Sequence, residues 1–171
     1  IEPYLERLVA IHELFAQEVR PEEVLARPDL AEVYHMERET SAALLGFYQL
    51  SLQAPFGQVV EAVKHFARQD ARRFRLRDAL LAQALAGLAG QFETIYVEAG
   101  HMHLSLPGQL HRCLNGNGKV TSRFLLEEVA RRRSSRPRVF GPGDDLTFMH
   151  MFHRPLTPEY ESLLAARSLI Y

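Results

Sequence analysis

The chain has 171 residues, enough for a domain with a sizeable core, and its 47% hydrophobic and 24% charged content is ordinary for a globular protein. A net charge of -1 disfavours nucleic acid as a partner, and no apolar run reaches the ~20 residues of a membrane span. The single cysteine, Cys113, excludes an intramolecular disulfide. With no visible signal peptide, these features predict a cytoplasmic protein without membrane partners. Arginine strongly outnumbers lysine, which suggests a thermophilic source.

The first ninety residues are predicted to form a series of amphipathic helices. Apolar residues recur three and four positions apart along this half of the chain, which is helical spacing. Asp29 is the expected N-cap of a long helix that Pro55 ends, and Gly90 has the expected C-cap role at the close of the series. The predicted helices cover residues 3–19, a short stretch from 21, 30–52, 58–71 and 76–88.

The second half contains short segments of strand character. Residues 94–97, Thr-Ile-Tyr-Val, are β-branched and aromatic, and they are too few to form a helix. Residues 119–121 and 138–140 are further candidate strands, while Asn-Gly-Asn-Gly at 115–118 is a turn and 134–137 a linker. Helices are expected at 107–114, at 124–133 and after the cap Thr157.

Strands that alternate with helices predict an α/β fold, rich in helix, with a small parallel or mixed sheet. The chain is expected to form a single domain, with a division into a helical subdomain 1–90 and a small α/β part 91–171 left open. The many helices before Gly90 are expected to form that subdomain or an oligomer interface.

The segment after residues 94–97 is the strongest candidate for a functional site. It ends in Gly100-His101-Met102-His103, and histidine is both a titrating group near neutral pH and the commonest metal ligand. If residues 101–103 stay extended, both imidazoles point to one face and can share an ion. The alternative is a polar loop whose two histidines bind nothing.

A catalytic metal site normally needs a third protein ligand. The sequence leaves this ligand open, with Glu98 the nearest in the chain. The other candidates are His35, Glu37, Glu39, Asp144, Asp145, His150 and His153.

Other chemical features have simpler interpretations. The apolar neighbours of His150 and His153 favour a partly buried segment, and Asp144-Asp145 is typical of a turn or helix start. Basic residues along 60–80 favour a solvated helix face over an anion site. The sequence has no dinucleotide fingerprint, Walker loop, nucleophile elbow or His-Glu-x-x-His.

Residues 76–114 resemble the Tiki/TraB-like superfamily, which includes haem-binding ChaN-type lipoproteins and erythromycin-esterase-like proteins. The match consists of Arg77-Asp78 opening a helix, the segment 94–97 as a strand, Gly100-His101, and a following helix, with Ala82, Leu110 and Leu114. The family's early Gly-Glu-x-His strand has no counterpart in these residues. The resemblance implies that Arg77 and His101 line a common pocket with a metal-dependent hydrolase or ligand-binding role.

Two functional hypotheses follow. The first is a metal-dependent hydrolase-like domain in which His101 and His103 hold a divalent metal ion at a strand end. His101, Arg77 and Glu98 are then the expected catalytic residues, with Arg77 holding an anionic group of a small-molecule ligand. The second is a non-enzymatic ligand-binding or interaction protein that forms a homo-oligomer through its long helices.

Overall fold

The structure, a computed structural model that describes residues 2–134 and 139–170, consists of helices and connecting loops. The prediction of an α/β fold with a small sheet is wrong, because the described residues contain no strand. The helices are α1 (Pro3–Ala16), α2 (Pro21–Leu25), α3 (Pro28–Ser51), α4 (Phe56–Leu88), α5 (Leu106–Leu114), α6 (Glu127–Ser134), α7 (Pro142–Met151) and α8 (Pro158–Ser168).

The predicted strands fail because residues 2–134 and 139–170 contain no neighbouring strand to pair with them. Residues 94–97 have no regular secondary structure and are exposed, and residues 119–121 are likewise unpaired. At 138–140, Arg138 lies outside the described residues, and Val139 and Phe140 form no strand. Preference for strand conformation depends on packing against a partner strand, which these segments do not find in the described part of the chain.

Helix α4 is the central element of the fold. The predicted helices 58–71 and 76–88 are one continuous helix of 33 residues. Buried residues continue through the predicted break, with Ala71, Phe74 and Asp78 at helical spacing. The arginines between the two predicted helices therefore occupy the other faces of a single helix. Because α4 packs against α1, α3, α5, α7 and α8, it connects nearly all of the hydrophobic clusters.

Two larger hydrophobic clusters lie near opposite ends of α4. One joins α1, α2 and α3 through the buried Tyr4, Ile11, Val24 and Val33, and reaches Leu80 of α4. The other joins α4, α7 and α8, and contains the buried residues Val60, Val63, Ala67, Leu146, Leu164 and Ala165.

The helix ends follow from local chemistry. Thr157 caps α8 as predicted, since its Oγ1 accepts from the Tyr160 N–H at 3.2 Å. Asn115 ends α5 in the left-handed conformation at φ 46°, which confirms the predicted turn. Asp29 is in the first turn of α3, and the N-cap is Arg27. No helix within the described ranges is long and apolar enough to cross a membrane.

The packing predicts that Leu146→Ala is strongly destabilising. Leu146 is fully buried where α4, α7 and α8 meet, so its truncation leaves a cavity and should cost roughly 2–5 kcal/mol. Leu52→Ala is the matched control, because Leu52 is 86% exposed and should change the free energy of unfolding by less than about 0.5 kcal/mol. Urea denaturation of both variants measures the difference, and equal losses would contradict the placement of Leu146.

Candidate functional site

A buried carboxylate on α4 contacts one of the two predicted histidines. Asp78 is 0% exposed, and its Oδ1 lies 2.5 Å from Nδ1 of His103. The loop before α5 turns to make this contact, with the His103 N–H donating to the Gly100 carbonyl at 3.0 Å. The resulting Asp–His pair joins the central helix α4 to the loop that contains His101 and His103.

The second oxygen of Asp78 is also satisfied. The Ser105 hydroxyl donates to Oδ2 of Asp78. Gln109 on α5 then donates from Nε2 to Ser105 Oγ at 3.0 Å and to the Arg75 carbonyl at 3.1 Å. A buried carboxylate is tolerated only with such partners, so Ser105 and Gln109 hold Asp78 in place and fix the start of α5 against α4.

The contact with Asp78 determines which nitrogen of His103 is available. With Asp78 as a carboxylate, the short contact requires the proton on Nδ1, so that Nε2 of a neutral ring keeps a free lone pair. The ring also packs edge-on against Phe74, with centroids 5.9 Å apart. A carboxylate behind one imidazole nitrogen is the arrangement that orients histidine as a metal ligand or as a general base.

His101 has different neighbours from His103. It is exposed, and its ring stacks on Phe140 at a centroid distance of 6.2 Å. The prediction that both rings share one face required an extended backbone, whereas the structure has a turn from Gly100 to His103. The Asp78 contact is therefore specific to His103, and His101 is an exposed side chain of the same loop.

The two other predicted catalytic residues lie apart from this contact. The Arg77 guanidinium lies 3.3 Å from Glu2 Oε2 and over the rings of Tyr4 and Phe74. Glu98 is exposed in the segment between α4 and α5. Arg77 contacts Glu2, Tyr4 and Phe74, whereas His101 contacts Phe140, so the structure does not show the common pocket that the resemblance implies.

Most candidate third ligands have local structural partners. His150 Nε2 lies 3.1 Å from Glu161, His153 Nε2 lies 2.5 Å from Arg75, and Asp144 accepts from the Gly141 N–H at 3.0 Å. On α3, Glu37 accepts from the Tyr4 hydroxyl and Glu39 pairs with Arg72, while the His35 ring lies beside Tyr34. Across residues 2–134 and 139–170, no three His, Cys, Asp or Glu side chains are grouped to hold a metal ion.

A second polar cluster lies between α1, α3 and α4, and the sequence did not indicate it. Tyr4 donates to Glu37 at 2.8 Å, and Arg73 lies 2.6 Å from Asp70 and 3.7 Å from Glu37. Burial raises the pKa of Asp70 and the pKa of Tyr4 above their ordinary values. The pairing of Arg73 with two acids on different helices marks this cluster as a structural connection between α3 and α4.

Asp78 and Ser105 are the site residues that sequence reasoning did not select. In the sequence, Asp78 stands out only as the neighbour of Arg77 in the family-like motif. An acidic residue on a largely apolar helix face is the available signal, since such a group needs a partner once buried, but Asp70 on the same face of α4 carries the same signal. Its partner, His103, is 25 residues away, a separation that helical spacing cannot predict.

Comparisons with known proteins give one informative match and no family. The chain is 28% identical over all 171 residues to a protein of the archaeon Archaeoglobus fulgidus that is described only as uncharacterised. The chain spans 53% of the length of that relative. No family model matches the chain, and no solved structure matches it.

The environment of His150 predicts a pH-dependent contribution to stability. Burial lowers the pKa of His150 below 6.5, with Arg68 and Arg75 acting in the same direction and Glu161 opposing them. As the pH falls, the unfolded chain therefore binds a proton at His150 at a higher pH than the folded chain does. The neutral His150 ring contributes to the free energy of unfolding above pH 6.5, and this contribution is lost as the pH falls below 6.5.

The expected outcome is that His150→Gln loses less stability than the unsubstituted chain between pH 7 and pH 5. Urea denaturation at several pH values measures this difference. His12→Gln is the control, because His12 is exposed on α1 and should leave the pH profile unchanged. Parallel pH profiles for His150→Gln and the unsubstituted chain would show that His150 is not the responsible group.

Proposed function

We propose that this chain is a metal-dependent, hydrolase-like domain whose central residue is His103. The observation that carries the proposal is the 2.5 Å contact between Nδ1 of His103 and the fully buried Asp78. A carboxylate in this position is the usual partner of a metal-binding imidazole, because it fixes the ring and raises its basicity as a ligand. His101, two residues earlier on the same loop, is the second ligand in this proposal.

The described residues fit such a metal ion in part. They supply one imidazole oriented by a carboxylate and one exposed imidazole two residues earlier in the same loop, which is fewer than the three protein ligands of a typical catalytic zinc site. Water or other polypeptide would supply the remaining positions. A bound divalent ion would contribute Lewis acidity and an activated water molecule.

The roles of the surrounding residues follow from their contacts. Asp78 orients His103 by accepting from its Nδ1–H, and the Ser105 hydroxyl, which accepts from Gln109, donates to the second oxygen of Asp78. Phe74 covers one edge of the imidazole and limits its rotation. Arg77 and Glu98 have no role in this proposal, because Arg77 pairs with Glu2 and the Glu98 side chain is exposed.

Metal titration of variants tests this function. Zn²⁺ and Mn²⁺ are titrated calorimetrically into the unsubstituted chain and into His103→Ala, Asp78→Asn and His65→Ala. We expect His103→Ala to abolish binding and Asp78→Asn to weaken it by about 10–100-fold, the usual effect of losing the group that orients a ligand. His65→Ala is the control, because His65 is exposed on α4 away from the pair, and its affinity should be unchanged.

Two results would contradict the proposal. One is the absence of stoichiometric binding of either ion by the unsubstituted chain. The other is equal affinity in the His103→Ala and His65→Ala variants. Circular dichroism of each variant measures whether its helix content is retained. If Asp78→Asn does not fold, the comparison of His103→Ala with His65→Ala still decides the test.

A second candidate function is an oligomeric interaction protein, and one surface favours it. Leu45 and Tyr48 on α3 and Leu52 at its C-cap form an apolar stripe, and all three are more than half exposed, as is Phe56 at the start of α4. Beside them, a groove of about 860 Å³ between α3 and α4 is lined by small residues such as Ala42 and Gly46. Contiguous apolar surface of this kind is typical of a protein interface.

The second function requires a homo-oligomer, and light scattering measures its mass in solution. A homodimer built on this stripe should become monomeric in Tyr48→Asp, because the introduced charge would be buried without a partner. Leu163→Asp is the control, since Leu163 is a partly exposed apolar residue on α8. A monomeric unsubstituted chain would exclude this function, and so would a dimer that Tyr48→Asp does not affect.

A further inference from the structure

A small cavity lies where α3, α4, α7 and α8 meet beside the loop that precedes α5. Its volume is about 360 Å³, which is at the lower end of the range for sites that bind small molecules. The polar part of its wall consists of Asp70 on α4, Asp144 and Thr147 on α7, Ser168 on α8 and Gln-free backbone around Gly141. The four helices therefore surround a space large enough for a small organic molecule.

Asp70 is a buried charge in this wall with one oxygen left unpaired. The residue is 7% exposed, and Arg73 lies 2.6 Å from its Oδ1. Within the described ranges, no hydrogen bond or ion pair involves its Oδ2. Burial raises the pKa of Asp70 although Arg73 acts in the opposite direction, so the positive charge of Arg73 does not fully offset the burial. A second cation at Oδ2 would stabilise the carboxylate.

Thr147 is a second buried polar group in the wall that lacks a partner. It is 5% exposed, and its hydroxyl makes no hydrogen bond to any residue that the structure describes. A threonine inside a helix commonly donates its hydroxyl to the carbonyl one turn earlier, and Thr147 does not. A buried hydroxyl normally has a partner, so the cavity is where a ligand would supply one.

The remaining polar groups determine which charge the ligand carries. Of the described residues that line the cavity, none is lysine and none is arginine, and Asp144 adds a second carboxylate. The Ser168 hydroxyl donates to the Ala165 carbonyl at 2.7 Å, so its lone pairs remain available as acceptors. Even with Arg73 counted, two carboxylates face one guanidinium. This negative, acceptor-rich wall favours a cation that donates hydrogen bonds and disfavours an anion.

The rest of the wall indicates that this cation is organic. Phe47 of α3, Phe66 of α4 and Met102 of the loop before α5 present aromatic and thioether surface to the cavity. Such surface binds the carbon body of a ligand through apolar contact. A metal ion is a poorer match, because the described part of the chain nowhere groups three His, Cys, Asp or Glu side chains.

We propose that this cavity binds a small apolar amine in its ammonium form. An alkylammonium group has three N–H donors, and the unpaired acceptors Asp70 Oδ2, Thr147 Oγ1 and Ser168 Oγ match this number. The carbon body of the amine packs against the aromatic side of the cavity.

This binding site is separate from the proposed metal site. None of Asp78, His101 and His103 is among the residues that line the cavity. The amine site can therefore be tested without a metal ion, and failure of either proposal leaves the other unaffected.

Titration of the 171-residue chain with 2-phenylethylammonium at pH 7, followed by amide NMR, tests this site. The matched compounds 2-phenylethanol and phenylacetate keep the ring and replace the ammonium with a hydroxyl or a carboxylate. We expect the ammonium to bind at least about tenfold more tightly than the alcohol, because it adds hydrogen bonds to a charged group, and phenylacetate to bind more weakly than either. The amides of Thr147 and Ser168 should shift, whereas those of α2 should not, since α2 does not line the cavity.

Two variants identify the groups that hold the ammonium. Asp70→Asn keeps the shape of the side chain and removes its charge, so it should weaken binding of 2-phenylethylammonium at least about tenfold. Thr147→Val removes the hydroxyl and should weaken binding about threefold or more. Asp29→Asn is the control, because Asp29 is an exposed carboxylate in the first turn of α3 and its loss should leave the affinity unchanged.

Three results would overturn the proposal. Absence of saturable binding of 2-phenylethylammonium would show that the cavity holds only solvent. Equal affinity for the ammonium and the alcohol would show that apolar contact alone is responsible. Equal losses in Asp70→Asn and Asp29→Asn would place the binding elsewhere. If Asp70→Asn does not fold by circular dichroism, Thr147→Val and the comparison of the three compounds still decide the test.

Discussion

Asp78 is the group whose requirements organise the second half of the fold. A carboxylate with no solvent exposure must have hydrogen-bond partners for both oxygens, or its burial on α4 would be prohibitively unfavourable. The partners are His103 and Ser105, which come from the loop before α5 rather than from a neighbouring turn of α4. The position of that loop, the start of α5 and the orientation of the His103 ring therefore all depend on one buried side chain.

Three polar clusters are arranged along α4, and their contacts suggest different roles. Near the start of α4, Lys64 lies 2.8 Å from Glu61 and 3.4 Å from Glu161, which ties α4 to α8. In the middle, Asp70 and Arg73 connect α4 with α3. Both clusters pair acids with bases and connect neighbouring helices. The Asp78 cluster differs because it pairs an acid with a histidine whose second nitrogen is not used by that contact, and so it is the best supported candidate for a functional site.

The positions of most helices could be predicted from the sequence, whereas the contacts between helices and loops could not. Periodic apolar residues located α1, α3 and both parts of α4, and local chemistry located the cap at Thr157 and the turn at Asn115, because these signals are short in range. His103 was found for a similar reason, as a histidine in a conspicuous motif. Asp78 and Ser105 could not be found in this way, since their importance arises from a contact between α4 and a loop 25 residues away.

The error over the sheet has a definite physical origin. Residues 94–97 satisfy the local conditions for a strand, yet a strand exists only when a second backbone is available to receive its hydrogen bonds. Helices close their hydrogen bonds within one segment, so local pattern suffices to predict them. In this chain the segment of strand character runs directly into the histidine loop, and both have unused capacity for binding: free backbone groups in one and a second imidazole nitrogen in the other.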